Sequence, residues 1–401
     1  MYKTDNLSTK LSARNILNAN YTDKTILIRS CLNVAIDKTG QITDNTRIVE
    51  ALPTLKELSK KAKRIIIMAH LGRPTIAREP EFSLEAVKVA LETELAENIL
   101  LVKDKSDFEA LKNNEITNKF VLLENIRFFP GEESKIVAER EEFAKELAEL
   151  AHLYVNDAFP DYREAASTYD LAKFLPSYLG PVFVREVQAI SNFGSPKRPF
   201  VAILGGAKLS EKLDALNALA EVADKILIGG AMAYTLLLSE GIEVGKSLIE
   251  ADKLEVAREI MAKYRSKLVL PTDHIVSPEF SSDSEIAITS DVSIPKDKIA
   301  VDIGPKTQGI FVEEIRKAKS ILWNGPMGVF EWEQTQEGTK KIGHAIVENK
   351  DAYTFAGGGD SIAALNKFGL SGFDHVSTGG GAMLAFISYD KFPTLDIILN
   401  S

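Results

Sequence analysis

The sequence predicts an α/β fold of two Rossmann-like lobes, each with three α/β/α layers around a parallel sheet, joined by a hinge helix. The chain has 401 residues, more than one hydrophobic core usually organises, so two domains are expected. Short apolar, β-branched segments alternate with longer amphipathic segments almost from end to end. This alternation is typical of βαβ units, in which helices cover both faces of parallel strands.

The individual strands and helices can be placed from hydrophobic periodicity. The predicted strands are residues 25–29, 64–68, 120–123, 153–155, 200–204, 225–228, 267–270, 320–323, 353–356 and 375–377. The predicted helices are residues 47–60, 83–97, 138–151, 210–220, 251–263, 338–348 and 362–368. The polar interval 277–298 is expected to be a surface excursion within the second half.

A domain boundary is expected near residues 176–199, where a helical pattern lies between segments that contain proline and glycine. We therefore expect an N-terminal lobe at 1–178, an interdomain helix or hinge at 179–198 and a C-terminal lobe at 199–384. The apolar tail, 385–401, is expected to pack back toward the N-terminal lobe.

The composition favours a cytoplasmic protein that binds small molecules. The formal net charge is −9, which argues against a nucleic-acid or membrane-surface binder because those need a broad positive field. Cys31 is the only cysteine, so the sequence offers no intrachain disulfide and indicates a reducing compartment. The longest mostly apolar segment, 226–238, is too short to span a bilayer, and residues 1–15 lack the apolar core of a signal peptide.

The two halves differ at the positions where ligands bind in open α/β sheets, beyond the carboxyl ends of the strands. In the first half these positions, and the start of the helix after the first crossover, carry cationic or imidazole side chains: Arg29, Arg47, His70, Arg73, Arg127 and Arg163. Guanidinium groups suit the bidentate recognition of phosphate and carboxylate. Any one of them could form a surface or structural ion pair instead, but their recurrence predicts an anion site.

The second half carries glycines at these positions, in clusters at 205–206, 229–230, 357–359 and 379–381. Glycine lets the backbone approach a phosphate, and a helix N-terminus supplies N–H donors. One glycine pair would indicate only a tight turn, whereas four clusters on one sheet predict a nucleotide-binding surface. Lys208 and Lys212 follow the first cluster and either contact phosphates or remain solvated surface lysines. Because neither G-x-x-x-x-G-K-[ST] nor a convincing G-x-G-x-x-G occurs, this is not a P-loop protein or an ordinary dinucleotide binder.

Two carboxylates near these glycines have both a structural and a functional interpretation. Asp360 lies in the segment GGGDS at a helix start, where it could be an N-cap or hold Mg²⁺ through one carboxylate, with phosphate and water completing the shell. The segment WNGPMGVFE, residues 323–331, could be a packing turn or a nucleoside pocket in which Glu331 contacts the ribose.

Ten segments together resemble phosphoglycerate kinase, and they follow one another in the order seen in that family. They are NTR, MAHLGRP, LLENIRF, NDAF, VAILGGAKLSEK, LIGGAMAYT, DIGPKT, WNGPMGVFE, GGGDS and HVSTGGGA. The resemblance implies reversible Mg-dependent phosphoryl transfer from 1,3-bisphosphoglycerate to ADP, giving 3-phosphoglycerate and ATP, in a monomer that closes about a hinge. It implies phosphoglycerate on the first lobe and Mg²⁺ with ATP or ADP on the second.

The resemblance also implies which residues form the site. The acid would be held by Asn33, Arg47, His70, Arg73 and Arg127, with Arg163 as a further candidate. The nucleotide would contact Gly205, Gly206, Lys208, Lys212, Gly229, Gly230, Asn324, Pro326, Glu331, Gly358, Gly359, Asp360 and Ser361, with Asp360 on the metal. The catalytic groups would be Arg47, Lys212 and the backbone at Gly358 and Gly381.

The first lobe departs from the family pattern in two places. The family segment R-V-D-F-N-V-P appears here as RSCLNVA, with Cys31 where an aspartate associated with the acid's hydroxyl group is expected. The glycine and His-Arg-His run after NDAF is replaced by PDYREAAST, which has Pro160 and lacks both histidines. In the second lobe the third glycine of I-G-G-G-M-A is Ala231. Two alternatives therefore stay open: a sibling kinase for a different small acid, and a nucleotide-binding homologue with a regulatory role.

Overall fold

Each half of the chain is built on its own six-stranded sheet. The computed structural model describes residues 6–74 and 78–401. It divides into an N-terminal unit, which contains the residues up to Gln188 together with Lys391–Ser401, and a C-terminal unit, Ala189–Asp390. The division falls inside the helix Pro181–Ser191.

The N-terminal unit has a parallel sheet and one small hairpin. Its strands are β1 (Thr25–Ser30), β2 (Ala35–Ile36), β3 (Ile42–Asp44), β4 (Arg64–Met68), β5 (Ile99–Val102), β6 (Phe120–Leu123), β7 (Leu153–Asp157) and β8 (Ser177–Leu179). Its helices are α1 (Leu7–Arg14), α2 (Thr46–Ser59), α3 (Glu85–Leu95), α4 (Phe108–Lys112), α5 (Val137–Ala148) and α6 (Pro181–Ser191). The sheet order is β5-β6-β4-β1-β7-β8, and all neighbours are parallel. Every residue of the central strand β1 is buried, as expected of a parallel strand covered on both faces.

The C-terminal unit repeats this plan with a different strand order. Its strands are β9 (Phe200–Leu204), β10 (Lys225–Ile228), β11 (Leu268–Val269), β12 (His274–Ser277), β13 (Ala287–Ile288), β14 (Ile299–Ile303), β15 (Ser320–Asn324), β16 (Tyr353–Gly357) and β17 (His375–Ser377). Its helices are α7 (Leu213–Val222), α8 (Met232–Ser239), α9 (Leu254–Tyr264), α10 (Pro305–Lys317), α11 (Glu337–Glu348), α12 (Gly359–Phe368) and α13 (Gly380–Ser388). The parallel sheet has the order β11-β10-β9-β15-β16-β17, and β13-β12-β14 form a small antiparallel sheet.

The end of the chain belongs to the N-terminal unit. Helix α14 (Pro393–Leu399) contacts α1 and β8. Just before it, the ring of Phe392 stacks on that of Phe159 with a centroid distance of 5.3 Å and meets the ring of Phe183 edge-on at 6.2 Å. Burial of these aromatic rings fixes the tail on this unit.

The predicted fold class of two lobes with parallel sheets is confirmed. The ten predicted strands all occur, with ends that differ by up to two residues, and β2, β3, β5, β8, β12, β13 and β14 are additional. Helices α8 and α13 were not predicted because their sequences, MAYTLLLS and GGAMLAFIS, are apolar on nearly every side and lack a helical period. No helix of the described ranges is long and apolar enough to cross a lipid bilayer.

Candidate functional site

Each parallel sheet has a point where the strand order reverses, and the candidate residues gather there. In the N-terminal unit, β4 and β7 flank β1 on opposite sides; in the C-terminal unit, β10 and β15 flank β9. The loops that leave neighbouring strands at such a point diverge, which opens a crevice beyond their carboxyl ends.

In the N-terminal unit, Arg29 at the end of β1 is buried and fully engaged. Its Nε donates to Ser167 Oγ at 3.1 Å, and its Nη1 donates to the carbonyl of Ser30 at 2.9 Å. Its Nη2 lies 3.0 Å from Nδ1 of His70. Because a guanidinium only donates, His70 Nδ1 is the acceptor, which places the proton of the neutral ring on Nε2. Burial lowers the pKa of His70 and favours this neutral form, although the charge and hydrogen-bonding capacity of Asp161 oppose the shift.

A chain of hydrogen bonds supports Arg29 from behind. Glu132 accepts from the backbone N–H of Ser167 at 3.0 Å and from its hydroxyl at 2.6 Å. Burial raises the pKa of Glu132 to about 7, and the nearby charge of Arg29 opposes that rise. No local sequence pattern points to Glu132 or Ser167, because their role follows only from tertiary contacts.

Asp161 joins the same cluster and was not among the predicted site residues. Its Oδ2 lies 3.0 Å from Nη2 of Arg29 and 3.3 Å from Nδ1 of His70, and its side chain is 14% exposed. Burial acts to raise the pKa of Asp161, but the neighbouring His70 and Arg29 outweigh it, so the pKa lies below its ordinary value. The signal available in the sequence was its place in the altered segment after Phe159.

Three of the predicted acid-binding residues are linked through Gly72. Nη1 of Arg47 donates to the carbonyl of Asn33 at 2.9 Å, and Asn33 Oδ1 accepts from the N–H of Gly72 at 2.8 Å. Nη1 of Arg127 donates to the carbonyl of Gly72 at 2.5 Å, while its Nε donates to Glu133 at 2.8 Å. Arg47 and Arg127 are half-buried, which leaves donor capacity for a ligand.

The other two predicted cations are exposed. The guanidinium of Arg163 lies over the ring of Tyr162, 5.9 Å from its centroid. Arg73 is also exposed, and residues 75–77, which follow it closely, lie outside the described ranges. The roles of Arg73 and Arg163 therefore stay predictions.

In the C-terminal unit, the glycine turns after β9 and β10 pack directly against one another. Gly230 has φ +66°, and a Cβ on it would lie 2.5 Å from the backbone N of Gly206. A Cβ on Gly205 would lie 1.9 Å from the carbonyl oxygen of Pro326. No side chain fits at these positions, so the fold itself requires the glycines there.

Lys212 directs its ammonium group at this place. Its Nζ donates to the side-chain oxygen of Asn324 and lies 3.3 Å from the carbonyl of that residue. Burial lowers the pKa of Lys212 to about 8, while the negative charge of Asp360 opposes the shift. A partly desolvated lysine beside a glycine turn is suited to binding phosphate, because phosphate oxygens would accept the hydrogen bonds that the ammonium group no longer makes to water.

Asn324 and Ser361 tie the turns after β15 and β16 together. Asn324 Nδ2 donates to the carbonyl of Gly357 at 2.6 Å, and Ser361 Oγ donates to the same carbonyl at 2.9 Å. Ser361 Oγ also accepts from the N–H of Gly325 at 2.8 Å. The predicted nucleotide contact of Ser361 has no support beyond this internal role and stays a prediction.

The starts of α12 and α13 differ from the earlier turns because their glycines are open. A Cβ on Gly359 or Gly381 would have no neighbouring heavy atom within 4 Å. Neither glycine has a positive φ, so the fold does not require them. Gly358, in contrast, has φ +102°, and a Cβ on Gly380 would lie 2.4 Å from its Cα. Open amides at two helix N-termini are available to an anion.

Asp360 is exposed in the first turn of α12, and the N-cap position belongs to Gly358. The N-cap interpretation of Asp360 is therefore wrong. Within residues 6–74 and 78–401, no group of three or more carboxylate, imidazole or thiolate side chains could hold a metal ion. A single carboxylate fits Mg²⁺ bound with a nucleotide, since phosphates and waters supply most of its ligands.

Two further predicted nucleotide contacts lie at the surface. Lys208 is 57% exposed, and its ammonium lies 3.3 Å from Glu211. This position matches the alternative interpretation of a solvated lysine. Glu331 is exposed, and only its carbonyl has a described partner, accepting from Nζ of Lys367 at 2.7 Å. Contact of Glu331 with a ribose stays a prediction.

Comparison with known proteins gives one consistent result. The family model for phosphoglycerate kinase matches residues 16–389. The chain is 40% identical over 384 residues to a phosphoglycerate kinase of Mycobacterium sp. (strain KMS), covering 93% of this chain and 94% of that protein. It is 43% identical over 383 residues to that of Dictyoglomus turgidum, covering 94% and 95%. The solved structure of phosphoglycerate kinase from Coxiella burnetii superposes with a TM-score of 0.84 at 35% identity, covering 96% of this chain and 98% of that one.

Proposed function

The chain belongs to the phosphoglycerate kinase family, and we propose that its N-terminal unit binds the phosphoglycerate and its C-terminal unit binds the Mg-nucleotide. Membership makes it a phosphotransferase with a carboxyl group as acceptor, acting in glycolysis. The reaction moves a phosphoryl group between 1,3-bisphosphoglycerate and ADP, giving 3-phosphoglycerate and ATP.

The observation that carries this assignment is the position of Lys212. Its ammonium lies at the junction of β9 and β15, bonded to Asn324, and a Cβ added to Gly325 would lie 3.2 Å from its Nζ. The family resemblance gives Lys212 a catalytic role, and its depressed pKa agrees with a charge held ready for phosphate. Phosphate oxygens are the ligand chemistry that would satisfy both the ammonium and the surrounding amides.

The chemistry needs alignment and positive charge more than an acid or base. A loose phosphoryl-transfer state spreads negative charge over the oxygens of the moving group. Lys212 and Arg47 would meet that charge with fixed donors, and the amides at Gly358 and Gly381 would add N–H groups at helix starts. The family generally uses a Mg-nucleotide; when bound, Mg²⁺ neutralises phosphate charge, and Asp360 would hold it.

On the acid side, Asn33, Arg47, His70 and Arg127 are the residues whose contacts support the proposal. His70 presents a neutral ring with its proton on Nε2, which can donate to a carboxylate or phosphate without adding charge. Arg47 and Arg127 supply charge-assisted donors, and their backbone bonds to Asn33 and Gly72 preorganise them.

We further propose that the enzyme is a cytoplasmic monomer. The lone Cys31, the family resemblance and the glycolytic role support this proposal. Hinged closure, which would align the acid with the nucleotide and exclude water from the acyl phosphate, stays a prediction from the sequence. Sedimentation velocity on the purified chain tests the monomer.

A coupled assay of ATP formation tests the function. The wild-type chain is expected to form ATP from ADP and 1,3-bisphosphoglycerate in the presence of Mg²⁺, and Asp360→Ala is expected to raise the Mg²⁺ concentration needed for half-maximal rate. Acetyl phosphate and other small acyl phosphates are tried as alternative phosphoryl donors, to test whether the enzyme acts on a different small acid. A better rate with one of them would replace the assignment, and nucleotide binding with no turnover on any donor would leave the regulatory alternative.

A further inference from the structure

The two departures from the family pattern in the first lobe, Cys31 and the segment after Phe159, follow neighbouring strands of the N-terminal sheet. Strands β1 and β7 are adjacent, and their last paired residues are Ser30 and Asp157. Cys31 follows directly on β1, and Asp161 lies four positions beyond the end of β7. Positions 31 and 161 therefore both lie beyond the carboxyl ends of two neighbouring strands.

Electrostatics connect the two side chains as well. Burial raises the pKa of the Cys31 thiol to about 12, and the next largest contribution comes from the negative charge of Asp161. Position 31 thus carries a neutral thiol, which is a poor hydrogen-bond acceptor. The local negative charge is on Asp161, which lies beside Arg29 and His70.

Asp161 has acceptor capacity that the protein does not use. Its Oδ2 is buried and has no hydrogen bond of good geometry, although Arg29 and His70 are close. Nη2 of Arg29 is shared between Asp161 and His70 Nδ1, and these two neighbours lie 3.0 and 3.3 Å from Asp161. A buried carboxylate oxygen held in this way keeps lone pairs free, so a further donor would stabilise it.

A bound ligand can donate a hydrogen bond to Asp161 only if it carries a hydroxyl group. A carboxylate in a site for an anionic substrate repels the substrate's phosphate and carboxylate groups. The hydroxyl of phosphoglycerate is the one group of that substrate that can donate a hydrogen bond to it. Discrimination of this kind is strong, because an analogue without the hydroxyl leaves a buried acceptor unpaired.

We propose that Asp161 accepts the hydroxyl group of the acid substrate, so that a carboxylate after β7 does here what a carboxylate at position 31 would do. This inference rests on the proposed function, since it assumes that phosphoglycerate binds the N-terminal unit. It makes Asp161 a specificity-determining residue that selects a hydroxylated phospho acid over its deoxy analogue.

The test compares 3-phosphoglycerate with 3-phosphonooxypropanoate, which has the same charges and lacks the hydroxyl. Affinity is measured by isothermal titration calorimetry on the full chain, and turnover is measured with MgATP. The wild type is expected to prefer the hydroxylated acid at least about tenfold in affinity, the size of one hydrogen bond to a charged group. Asp161→Ala is expected to remove most of this preference. Asp161→Leu, which keeps a similar shape and has no acceptor, serves the same comparison if the alanine variant folds poorly.

A rescue variant separates substrate recognition from a structural role. Cys31→Asp combined with Asp161→Ala returns a carboxylate to the neighbouring position and is expected to restore the preference for the hydroxylated acid. Asp23→Asn, an exposed aspartate before β1, is the matched control and should leave the preference unchanged. If Asp161 only neutralises Arg29, its removal changes the affinity for both acids by the same factor, and the inference is overturned.

The two readouts distinguish this inference from the proposed function. A wild type that binds 3-phosphoglycerate with the expected preference but transfers no phosphate would overturn the proposed function and support the role of Asp161. A wild type that phosphorylates both acids with equal affinity would support kinase activity and overturn the role of Asp161. A wild type that binds neither acid overturns both.

Discussion

By our proposal, the two units bind their anionic ligands in opposite ways. The N-terminal unit would use long cationic side chains, such as Arg47 and Arg127, which are held by bonds to backbone carbonyls. The C-terminal unit uses backbone amides at glycine turns, with Lys212 as the one candidate cation that the described contacts bring to them. A backbone surface is fixed by the fold, whereas a side-chain surface can be rearranged by changing single residues. The two larger departures from the family pattern, at Cys31 and after Phe159, lie in the N-terminal unit.

The largest effect on activity is expected from removing Lys212, the cation that is hydrogen-bonded to Asn324 beside the glycine turns. Lys212→Ala should lower kcat by about 10²- to 10³-fold, since a fixed donor that meets charge developing in transfer is worth that much. The coupled ATP assay measures it. Lys208→Ala is the matched control, because Lys208 is four residues away, exposed and paired with Glu211. Equal losses in the two variants would contradict the role assigned to Lys212.

In the N-terminal unit, removing a single arginine is expected to reduce activity less than removing Lys212, because several cationic side chains would bind the acid together. Arg127→Ala should raise the KM for 3-phosphoglycerate by about 10- to 100-fold, the size of one charge-assisted hydrogen bond. The KM for MgATP should stay within twofold of the wild type, because we propose that the nucleotide binds the C-terminal unit. Arg14→Ala, at the end of α1, is the control. An unchanged KM for the acid would remove Arg127 from the site.

The pH dependence sharpens the comparison, because a lysine with a depressed pKa titrates where guanidinium groups do not. The pKa of Lys212 is about 8, so its charge is present below that pH and is lost as the pH rises through it. The kcat/KM for ADP should fall about tenfold between pH 7 and pH 9. Bound phosphates raise the pKa, so kcat should fall at a higher pH than kcat/KM. Lys212→Arg should remove the fall of kcat/KM at alkaline pH. If the wild type and this variant show the same fall, another group is responsible for it.

The smallest expected effect concerns a glycine that the fold does not need. Gly381→Ala should leave the melting temperature within about 2 °C of the wild type, since its Cβ would have open space. It should nevertheless weaken MgADP binding about three- to tenfold, because the methyl group occupies the approach to the amides. Gly309→Ala, in α10, has the same open surroundings and serves as control. An unaltered MgADP affinity in Gly381→Ala would mean that the helix start does not face the nucleotide.

The fold was largely predictable because its signals are local. Apolar strands such as 64–68 and 200–204 were placed to the residue, since continuous burial gives a continuous apolar run. The glycine turns could be identified for the same reason: a position without room for a side chain shows directly in the sequence. The exceptions included the short strands β2, β3, β5 and β8, the small antiparallel sheet of β12, β13 and β14, and the wholly apolar helices α8 and α13.

The N-terminal site was predictable only in part because its geometry depends on distant residues. Arg29 bonds to Ser167, which is 138 positions away, and Ser167 is held by Glu132. Nothing in the local pattern around position 161 shows that its carboxylate returns to the end of β1. Whether each cation found is a ligand group or a surface group also depends on side-chain placement, as Lys212 and Lys208 demonstrate.

Backbone and side-chain NMR of the full chain separates the two modes of anion binding in one experiment. MgADP should shift the amide resonances of Gly206, Gly359 and Gly381 and leave the Nε–H resonances of Arg29 and Arg127 in place. Added alone, 3-phosphoglycerate should do the reverse. Shifts of the arginine resonances by MgADP as large as those of the glycine amides, or glycine amides that do not respond to it, would contradict the division of labour between the two units.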